Sequence, residues 1–295
     1  LGATILNVWH VRPGHEREPG VVYAGTQPAG LFRSEDQGRT WQSVDGLTRH
    51  PDRARWSGTG GGDSCLHSIE LDPRDPARVF TAISSGGSYA TLDGGETWDI
   101  FSWTAVPTNP GALAEAKRWE QMGFTREVPP GVDPLAIDEM HKLRVDAKDP
   151  DRMWAQAHIG VFRSDDQGKT WSDVTVGLPS FHGFPIAVTR RGPDAAFVVP
   201  LHYEGDNFRV CPGQFAVYRT TNAGKSWEPL TNGLPGPHDY QSVYREGLDT
   251  DGLDSEAVYV GTSNGEVYAG LDGGDRWIRL PGTLPPVLSV TAVAL

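Results

Sequence analysis

The sequence has few cysteines, no long apolar run and no excess of positive charge. Its 295 residues include only Cys65 and Cys211, too few for a disulfide framework or for a zinc cluster of the CxxC type. The longest apolar stretch, residues 195–201, contains Pro200 and is too short for a transmembrane helix. Lys and Arg total 26 against 38 Asp and Glu, giving a net charge of −12, which argues against binding to nucleic acid.

Glycine, proline and aromatic residues are plentiful instead. The 36 Gly and 23 Pro indicate many tight turns, and the 10 Trp, 10 Phe and 8 Tyr argue against disorder. The first residue is Leu rather than Met, and we expect a further segment upstream of it. The compartment stays open, with a cytoplasmic location favoured.

One eight-residue motif occurs five times. It begins with Ser or Thr, has Asp or Asn at its third position and Gly at its fifth, and ends in Trp; the last copy begins with Gly instead. The copies are residues 34–41, 91–98, 164–171, 220–227 and 270–277. The Asp or Asn side chain can bond its own turn, and the Gly supplies a positive φ. Each motif therefore predicts a tight hairpin whose Trp packs between neighbouring units.

The residues before each motif predict three more short strands. In the last unit, the first of these strands is predicted at residues 241–245. Four antiparallel strands in about 50 residues is typical of a propeller blade. The sequence therefore predicts an all-β fold, a single-domain β-propeller of four-stranded blades over residues 1–295. The predicted blades span about residues 5–46, 66–101, 139–177, 184–231 and 239–280.

The repeated motif resembles the Asp-box, or bacterial neuraminidase repeat. The whole chain resembles the Asp-box propeller superfamily, which includes sialidases, xyloglucan hydrolases, sortilin-type receptors and a photosystem II assembly factor. It is most similar to bacterial sialidase-like, glycosyl-hydrolase-labelled repeat proteins in residues 23–26, 30–34, 67–76 and 284–290. This resemblance implies a fold and leaves the reaction open, because the superfamily contains both enzymes and binding modules.

Two expectations concern the ends and the longest insertion. Residues 287–294 read as one more strand, which would be the closing inner strand of a further blade. Since members of the resembling family carry upstream residues, we expect seven blades in the full protein; a complete five- or six-bladed ring is the alternative. Residues 102–138 form the longest insertion, predicted to be a lid, and residues 111–122 are helical by propensity.

The predicted functional face lies opposite the Asp boxes. First strands begin there, second strands end there, and the long loops lie there; we call this end of the central channel the mouth. Six histidines fall on this face. They are His67, His141, His158, His182, His202 and His238. We expect His67, His141, His158 and His202 to converge on one cavity; a divalent metal held by these four is a candidate cofactor.

Carboxylates, aromatics and arginines on the same face complete the predicted site. A glycosidase needs two carboxyl groups, one as acid and one as base or nucleophile. Acidic residues on this face are Asp63, Asp138, Glu139, Glu204, Asp206 and Asp239. We select Asp63, Asp138 and Asp239 as catalytic candidates together with His67 and His141. The candidate ligand-binding residues are Trp9, Trp56, His158, His202, Arg209, Tyr240 and Arg245.

Three functional interpretations follow. The first is a propeller that binds a small polar or carbohydrate-like ligand at a His-lined mouth, and that acts as a glycoside hydrolase if it is an enzyme. The sialidase signature Phe/Tyr-Arg-Ile-Pro is absent from this sequence. The second is a non-catalytic binding or assembly scaffold, and the third a metal-dependent lyase or oxidoreductase. The sequence does not define the oligomeric state, nor whether Cys65 and Cys211 pair.

Overall fold

Five antiparallel sheets follow one another along the chain in the computed structural model, which describes residues 4–58, 62–123, 128–203, 209–211 and 213–293, with residues 209 and 210 described as backbone. Strand order in every sheet follows chain order, and blade 4 has one extra strand paired with its second. Blade 1 contains β1 (Asn7–Pro13), β2 (Val22–Gln27), β3 (Leu31–Ser34) and β4 (Gln42–Ser43). Blade 2 contains β5 (Leu66–Leu71), β6 (Val79–Ile83), β7 (Gly87–Thr91) and β8 (Asp99–Ile100).

The three remaining blades repeat this arrangement. Blade 3 contains β9 (Met140–Val145), β10 (Met153–Ala157), β11 (Gly160–Ser164) and β12 (Ser172–Asp173). Blade 4 contains β13 (Gly183–Val188), β14 (Ala196–His202), β15 (Arg209–Val210), β16 (Val217–Thr220) and β17 (Glu228–Leu230). Blade 5 contains β18 (Leu248–Thr250), β19 (Val258–Gly261), β20 (Val267–Leu271) and β21 (Arg276–Arg279). The first strands of consecutive blades contact one another, so the sheets form a β-propeller, as the sequence predicts.

The described residues contain few helices. They are α1 (Asp45–Thr48), α2 (Pro110–Gln121) and three 3-10 turns, Pro51–Arg55, Ser102–Thr104 and Asp272–Gly274. Helix α2 confirms the helix predicted in the long insertion; Asn109 caps it by accepting a hydrogen bond from the Ala112 amide. Among the described residues, no helix has the length and apolar character needed to cross a membrane.

The hydrophobic core is divided among the blade interfaces. Four clusters of buried side chains lie between blades 1 and 2, 2 and 3, 3 and 4, and 4 and 5. The cluster between blades 2 and 3 also includes Ala105, Ala112 and Ile137 of the insertion. The insertion is therefore anchored in the core at both of its ends.

The Asp-box hairpins have the geometry that their sequence predicts. In the first box, the Ser34 hydroxyl accepts a hydrogen bond from the Gly38 amide (2.8 Å), and the Asp36 carboxylate accepts from the Thr40 amide (2.8 Å). Gln37 and Gly38 have positive φ values of 62° and 83°. These bonds close each turn locally, at the end of the sheets opposite the mouth.

The box tryptophans join consecutive blades. Trp227 of blade 4 donates from Nε1 to the Val174 carbonyl of blade 3 (2.8 Å), and its ring lies 6.5 Å from that of Trp154. Trp98 and Trp277 are also buried against the preceding blade, whereas Trp41 of blade 1 is 40% exposed. Packing between blades therefore depends on an element that each repeat supplies.

One local expectation, the start of blade 5, turns out differently. The first strand of blade 5 begins at Leu248 rather than at residue 241, because the chain turns where the Gly247 amide bonds the Tyr244 carbonyl (2.9 Å). Residues 287–293 form no strand among the described residues. They run beside the inner edge of blade 5 through a single parallel bridge between Glu246 and Ser289. Ala294 lies outside the described residues, and both the closing strand at 287–294 and the seven-bladed ring stay predictions.

Candidate functional site

The first strands of four blades each carry a β-bulge near their start, at the mouth. The register of pairing skips Trp9 in β1, His67 in β5, His141 in β9, and residues 184–185 in β13. A bulge redirects side chains and is common beside functional sites. Three of the residues predicted for the site therefore occupy equivalent bulges in successive blades.

The Arg245 side chain, just before the first strand of blade 5, contacts residues of two of these bulges. Its guanidinium carbon lies 5.2 Å from the ring centroid of Phe184 and 5.7 Å from that of Trp9. Phe184 in turn stacks on His141 at 4.6 Å. His67 is fully buried, and neither of its ring nitrogens has a hydrogen-bond partner among the described residues. Burial, followed by the charges of Arg245 and His141, holds the pKa of His67 well below its usual value.

Four side chains beside blade 3 form what we call the histidine cluster: Glu139, His141, His158 and His182. His141 donates from Nδ1 to the Gly183 carbonyl (2.6 Å), which leaves its Nε2 as an acceptor 3.3 Å from Nδ1 of His158. The Glu139 carboxylate lies 3.5 Å from His141 Nε2 and 3.8 Å from His158 Nδ1. His182 donates from Nδ1 to the His158 carbonyl (3.0 Å).

Two histidines of this cluster, His158 and His182, are neutral at neutral pH. Burial, and then the charge of His141, lower the pKa of His158 to about 4, and the same two causes lower the pKa of His182 to about 3. Neutral imidazoles keep a lone pair for a proton, a ligand or a metal ion. The cluster can therefore act as an acceptor.

A cleft of about 610 Å³ opens beside the cluster. Its walls are helix α2, residues 175–181 and the end of β14, and they include Asn109, Glu115, Arg118, Phe181, His202, Tyr203 and Cys211. The Tyr203 ring lies 4.8 Å from that of Phe181, 5.3 Å from that of His182 and 5.6 Å from that of His158. Tyr203 is thus the wall shared by the cleft and the histidine cluster.

The histidines predicted from the sequence are divided between the histidine cluster and the cleft. His141 and His158 are in direct contact, and His67 is close enough for the charge of His141 to affect its pKa. His202 lines the cleft instead. His182 joins the cluster although it was not selected from the sequence, where its place just before a first strand was the available signal.

The three selected aspartates occupy separate positions. Asp63 is exposed, and its backbone carbonyl accepts from Gln27 (3.1 Å). The Asp138 backbone carbonyl accepts from the Gly87 amide (2.7 Å), and the Asp239 carboxylate accepts from Gln241 (3.1 Å). Glu139, the neighbour of Asp138, is the carboxylate that approaches both His141 and His158. The only sequence signal that favours Glu139 over Asp138 is its position two residues before His141, because alternate residues of a strand share a side.

The remaining predicted ligand-binding residues are also spread out. Trp9 donates to the Gln27 side chain (3.0 Å), and Trp56 donates to the Tyr89 hydroxyl (3.0 Å) in the interface of blades 1 and 2. Tyr240 is 63% exposed. The side chain of Arg209, with Glu204 and Asp206, lies outside the described residues.

Both cysteines are free thiols. Cys65 is buried beside Ser84, with its sulfur 3.4 Å from the hydroxyl oxygen, and Cys211 lines the cleft. Burial raises the pKa of both thiols, that of Cys211 to about 11. Neither thiol is activated as a nucleophile.

Deeper in the channel, charged side chains pair across the blades. Lys142 is fully buried and donates to both oxygens of Glu246 (2.5 and 2.6 Å). Further along, Glu70 bridges Arg12 (3.5 Å) and Arg144 (2.9 Å). This network is not among the sites predicted from the sequence, where its signal is charge at alternate positions of otherwise apolar first strands.

Known proteins share both the repeat and the architecture. The family model for the BNR/Asp-box repeat matches residues 162–173. An oligoxyloglucan-reducing end-specific xyloglucanase of Emericella nidulans is 25% identical over 231 residues, covering 71% of this chain and 25% of the relative. A xyloglucanase of a Paenibacillus species is 24% identical over 288 residues, covering 89% of this chain and 24% of the relative. The chain therefore spans about a quarter of the length of these curated relatives.

Solved structures agree on the fold. The GH74 xyloglucanase from Xanthomonas campestris superposes with a TM-score of 0.61 at 17% identity, covering 94% of this chain and 38% of that one. An ancestral GH74 enzyme gives a TM-score of 0.57 at 14% identity, covering 90% of this chain and 31% of that one. The protein is an Asp-box β-propeller. Among propellers, it is similar to xyloglucan-degrading glycoside hydrolases.

Proposed function

We propose that this chain binds an oligosaccharide in the cleft beside the histidine cluster, as part of a glycoside-hydrolase-like propeller. The observation that carries this proposal is the cleft itself, about 610 Å³ in volume and lined by helix α2, residues 175–181 and the end of β14. A concave site of this size with a few convergent polar groups is typical of small-ligand binding.

The lining of the cleft suits a sugar. Phe181 and Tyr203 present adjacent aromatic rings, and such rings offer an apolar face to the C–H groups of a sugar. Helix α2 adds Glu115 and Arg118 to the lining of the cleft, 3.3 Å apart. These two charged groups can exchange hydrogen bonds with sugar hydroxyls.

The relatives indicate which sugar to try first. Those described above are named xyloglucanases, so xyloglucan oligosaccharides are the first ligands for this cleft. The chain corresponds to about a quarter of each of these relatives, so their names indicate a ligand to test rather than the activity of this chain.

Binding is better supported by the geometry than cleavage. Glycoside hydrolysis needs two carboxyl groups about 5–10 Å apart. Among the described residues that line the cleft, Glu115 is the only acid. Hydrolysis is the second candidate function, favoured by the names of the relatives, with Asp63, Asp138 and Asp239 as its predicted carboxylates.

Calorimetric titration of the full chain with xyloglucan oligosaccharides tests the proposal. Arg118→Ala and Tyr203→Ala should each weaken binding about tenfold or more, since a hydrogen bond to a charged group or a stacked ring contributes more than 1 kcal/mol. Arg39→Ala is the matched control, because Arg39 lies in an Asp box on the opposite face and should bind as the unmodified chain does.

Release of reducing ends during incubation with the same sugars separates a hydrolase from a binding module. Sugar binding without release supports the binding function alone. If no oligosaccharide binds, or if the Arg39 and Arg118 variants behave alike, the cleft is not the sugar site and a scaffold function becomes the better interpretation.

A further inference from the structure

Three potential metal-ligand atoms meet beside the first strand of blade 3. They belong to Glu139, just before β9, to His141 in the β9 bulge, and to His158 in the turn after β10. One ligand atom from each residue lies within 4.8 Å of the other two. His141 Nε2 is 3.3 Å from His158 Nδ1 and 3.5 Å from the nearer Glu139 oxygen.

These separations match the edges of a metal coordination polyhedron. Zinc binds imidazole nitrogen and carboxylate oxygen at about 2.0–2.2 Å, so the edges of a tetrahedral site are roughly 3.3–3.6 Å. The two distances to His141 Nε2 fall in this range. The 3.8 Å separation from His158 Nδ1 belongs to the other Glu139 oxygen, so the carboxylate must rotate to bring one oxygen to both nitrogens.

Outer hydrogen bonds orient two of the three ligands. His141 donates its other ring N–H to the Gly183 carbonyl (2.6 Å), and this fixes the tautomer with Nε2 free for a metal. The Glu139 carboxylate accepts from the Ser85 hydroxyl (3.2 Å). Ser85 has a φ of 41°, a left-handed conformation that is costly for serine and is found preferentially at ligand clamps.

Burial and the neighbouring rings shape access to the site. The side chains of His141 and Glu139 are 1% and 8% exposed, whereas that of His158 is 18% exposed. Phe184 packs against His141, and the rings of Trp119 and Tyr203 lie 6.1 and 5.6 Å from His158. An ion would therefore enter on the His158 side, beside the wall of the cleft.

We propose that Glu139, His141 and His158 bind one divalent transition-metal ion, with zinc as the best fit, and leave at least one coordination position open. Two histidines and one glutamate with an open position is a ligand set of catalytic zinc sites. Binding through Nδ1 moves the His158 proton to Nε2. The set differs from the one predicted from sequence, since Glu139 replaces His67 and His202.

The charge of Arg245 sets a condition on this site. Its guanidinium carbon lies 5.2 Å from the ring of Phe184, which stacks on His141, so its positive charge opposes a cation bound at this site. The Glu139 carboxylate supplies one compensating negative charge. The open position should therefore favour an anion, such as hydroxide or a small carboxylate, over a neutral ligand.

Metal titration of the full chain tests the proposal without any sugar, so it is independent of the proposed function. After treatment with a chelator, Zn²⁺ is added in a calorimeter, and Co²⁺ is added while its visible absorption is recorded. We expect one ion per chain and the intense absorption of low-coordinate cobalt. Glu139→Gln and His158→Gln should each weaken binding at least about 100-fold, more than the loss of an outer hydrogen bond costs.

Two histidine variants serve as matched controls. His238 is exposed with a φ of 69°, so His238→Asn suits its left-handed backbone, and it should leave metal binding unchanged. His202→Gln should also leave binding unchanged, because His202 lies in the cleft wall outside the ligand set. Thermal unfolding of each variant shows whether it is folded.

The proposal is overturned if no stoichiometric binding occurs, or if folded Glu139→Gln and His158→Gln bind as the unmodified chain does. Loss of binding in His238→Asn indicates an adventitious surface site and also overturns it. If one ligand variant fails to fold, the other variant and the cobalt spectrum of the unmodified chain decide the outcome.

Discussion

Removing the carboxylate of one Asp box should destabilise the propeller by an amount that its contacts allow us to estimate. Asp166 accepts hydrogen bonds from the Thr170 amide (2.8 Å), the Thr170 hydroxyl (2.7 Å) and the Ser164 hydroxyl (2.8 Å). A hydrogen bond contributes about 0.5–1.5 kcal/mol net. Because Thr170 is exposed, its two bonds fall at the lower end, and Asp166→Ala should cost about 1–2 kcal/mol.

The chain contains its own control for this substitution. In blade 4 the equivalent residue is Asn222, which accepts from the Ser226 amide (3.0 Å) and donates to the Ser226 hydroxyl (2.8 Å). The hydroxyl therefore changes from donor to acceptor, and the turn is retained. Asp166→Asn should cost less than about 0.5 kcal/mol, since a Thr170 hydroxyl can make the same exchange.

Urea unfolding followed by far-ultraviolet circular dichroism measures both variants, and the sugar titration is repeated on each. Partial burial raises the pKa of Asp166, but the hydrogen bonds from Thr170 outweigh it and the pKa is lowered overall. The carboxylate therefore stabilises the fold above its unfolded pKa of about 4, and this contribution is lost as the pH falls through the folded value. Equal costs for Ala and Asn, or lost sugar binding without lost stability, would refute a structural role.

Three further outcomes follow from the packing and the buried charges. Glu246→Gln leaves Lys142 buried without its partner and should cost about 3–5 kcal/mol in urea unfolding, and the double variant Lys142→Met/Glu246→Leu should recover much of it; a small cost for the single variant contradicts the pairing. Trp227→Ala should cost about 3–5 kcal/mol, whereas Trp41→Ala, at the same repeat position but 40% exposed, should cost about 1 kcal/mol or less; equal costs would show that the blade contacts are not what matters. The pKa of His182 is about 3 in the folded protein and about 6.5 in the unfolded chain, so its contribution to the free energy of unfolding is complete above pH 6.5 and falls by about 2 kcal/mol at pH 5. His182→Asn should therefore flatten the pH dependence of the free energy of unfolding, measured with chelator present. An unchanged slope would exclude this histidine as the source of that dependence.

Local interactions explain why the repeats were readable in the sequence. Each Asp box forms its hydrogen bonds within eight residues, as Ser34, Asp36 and Thr40 do, so the motif contains nearly everything that determines the turn. The helix of the insertion is equally local, with its own Asn109 cap. The mean spacing of the motifs leaves room for four short strands in each repeat, and such a repeat is typical of a propeller blade.

Which residues form the site depends on contacts between distant parts of the chain, and no local sequence pattern reports such contacts. His67 and His141 were selected from sequence, but the bulges that redirect them depend on pairing with neighbouring strands. Asp138 and Glu139 are adjacent in the chain, and strand geometry turns Glu139 towards the histidines. The cleft combines helix α2 with residues 175–181 and Tyr203, which come from three separate stretches of sequence.

The sequence by itself determined the repeat, the hairpins, the four-stranded blades and the end of the propeller at which long loops gather, because each of these depends on contacts within one repeat. The tertiary structure decided which side chains meet at the mouth and in the channel. Lys142 and Glu246 are 104 residues apart and come within 2.6 Å only when blades 3 and 5 face the same channel. Such pairings depend on the number and tilt of the blades, which are set by the packing of whole sheets against one another.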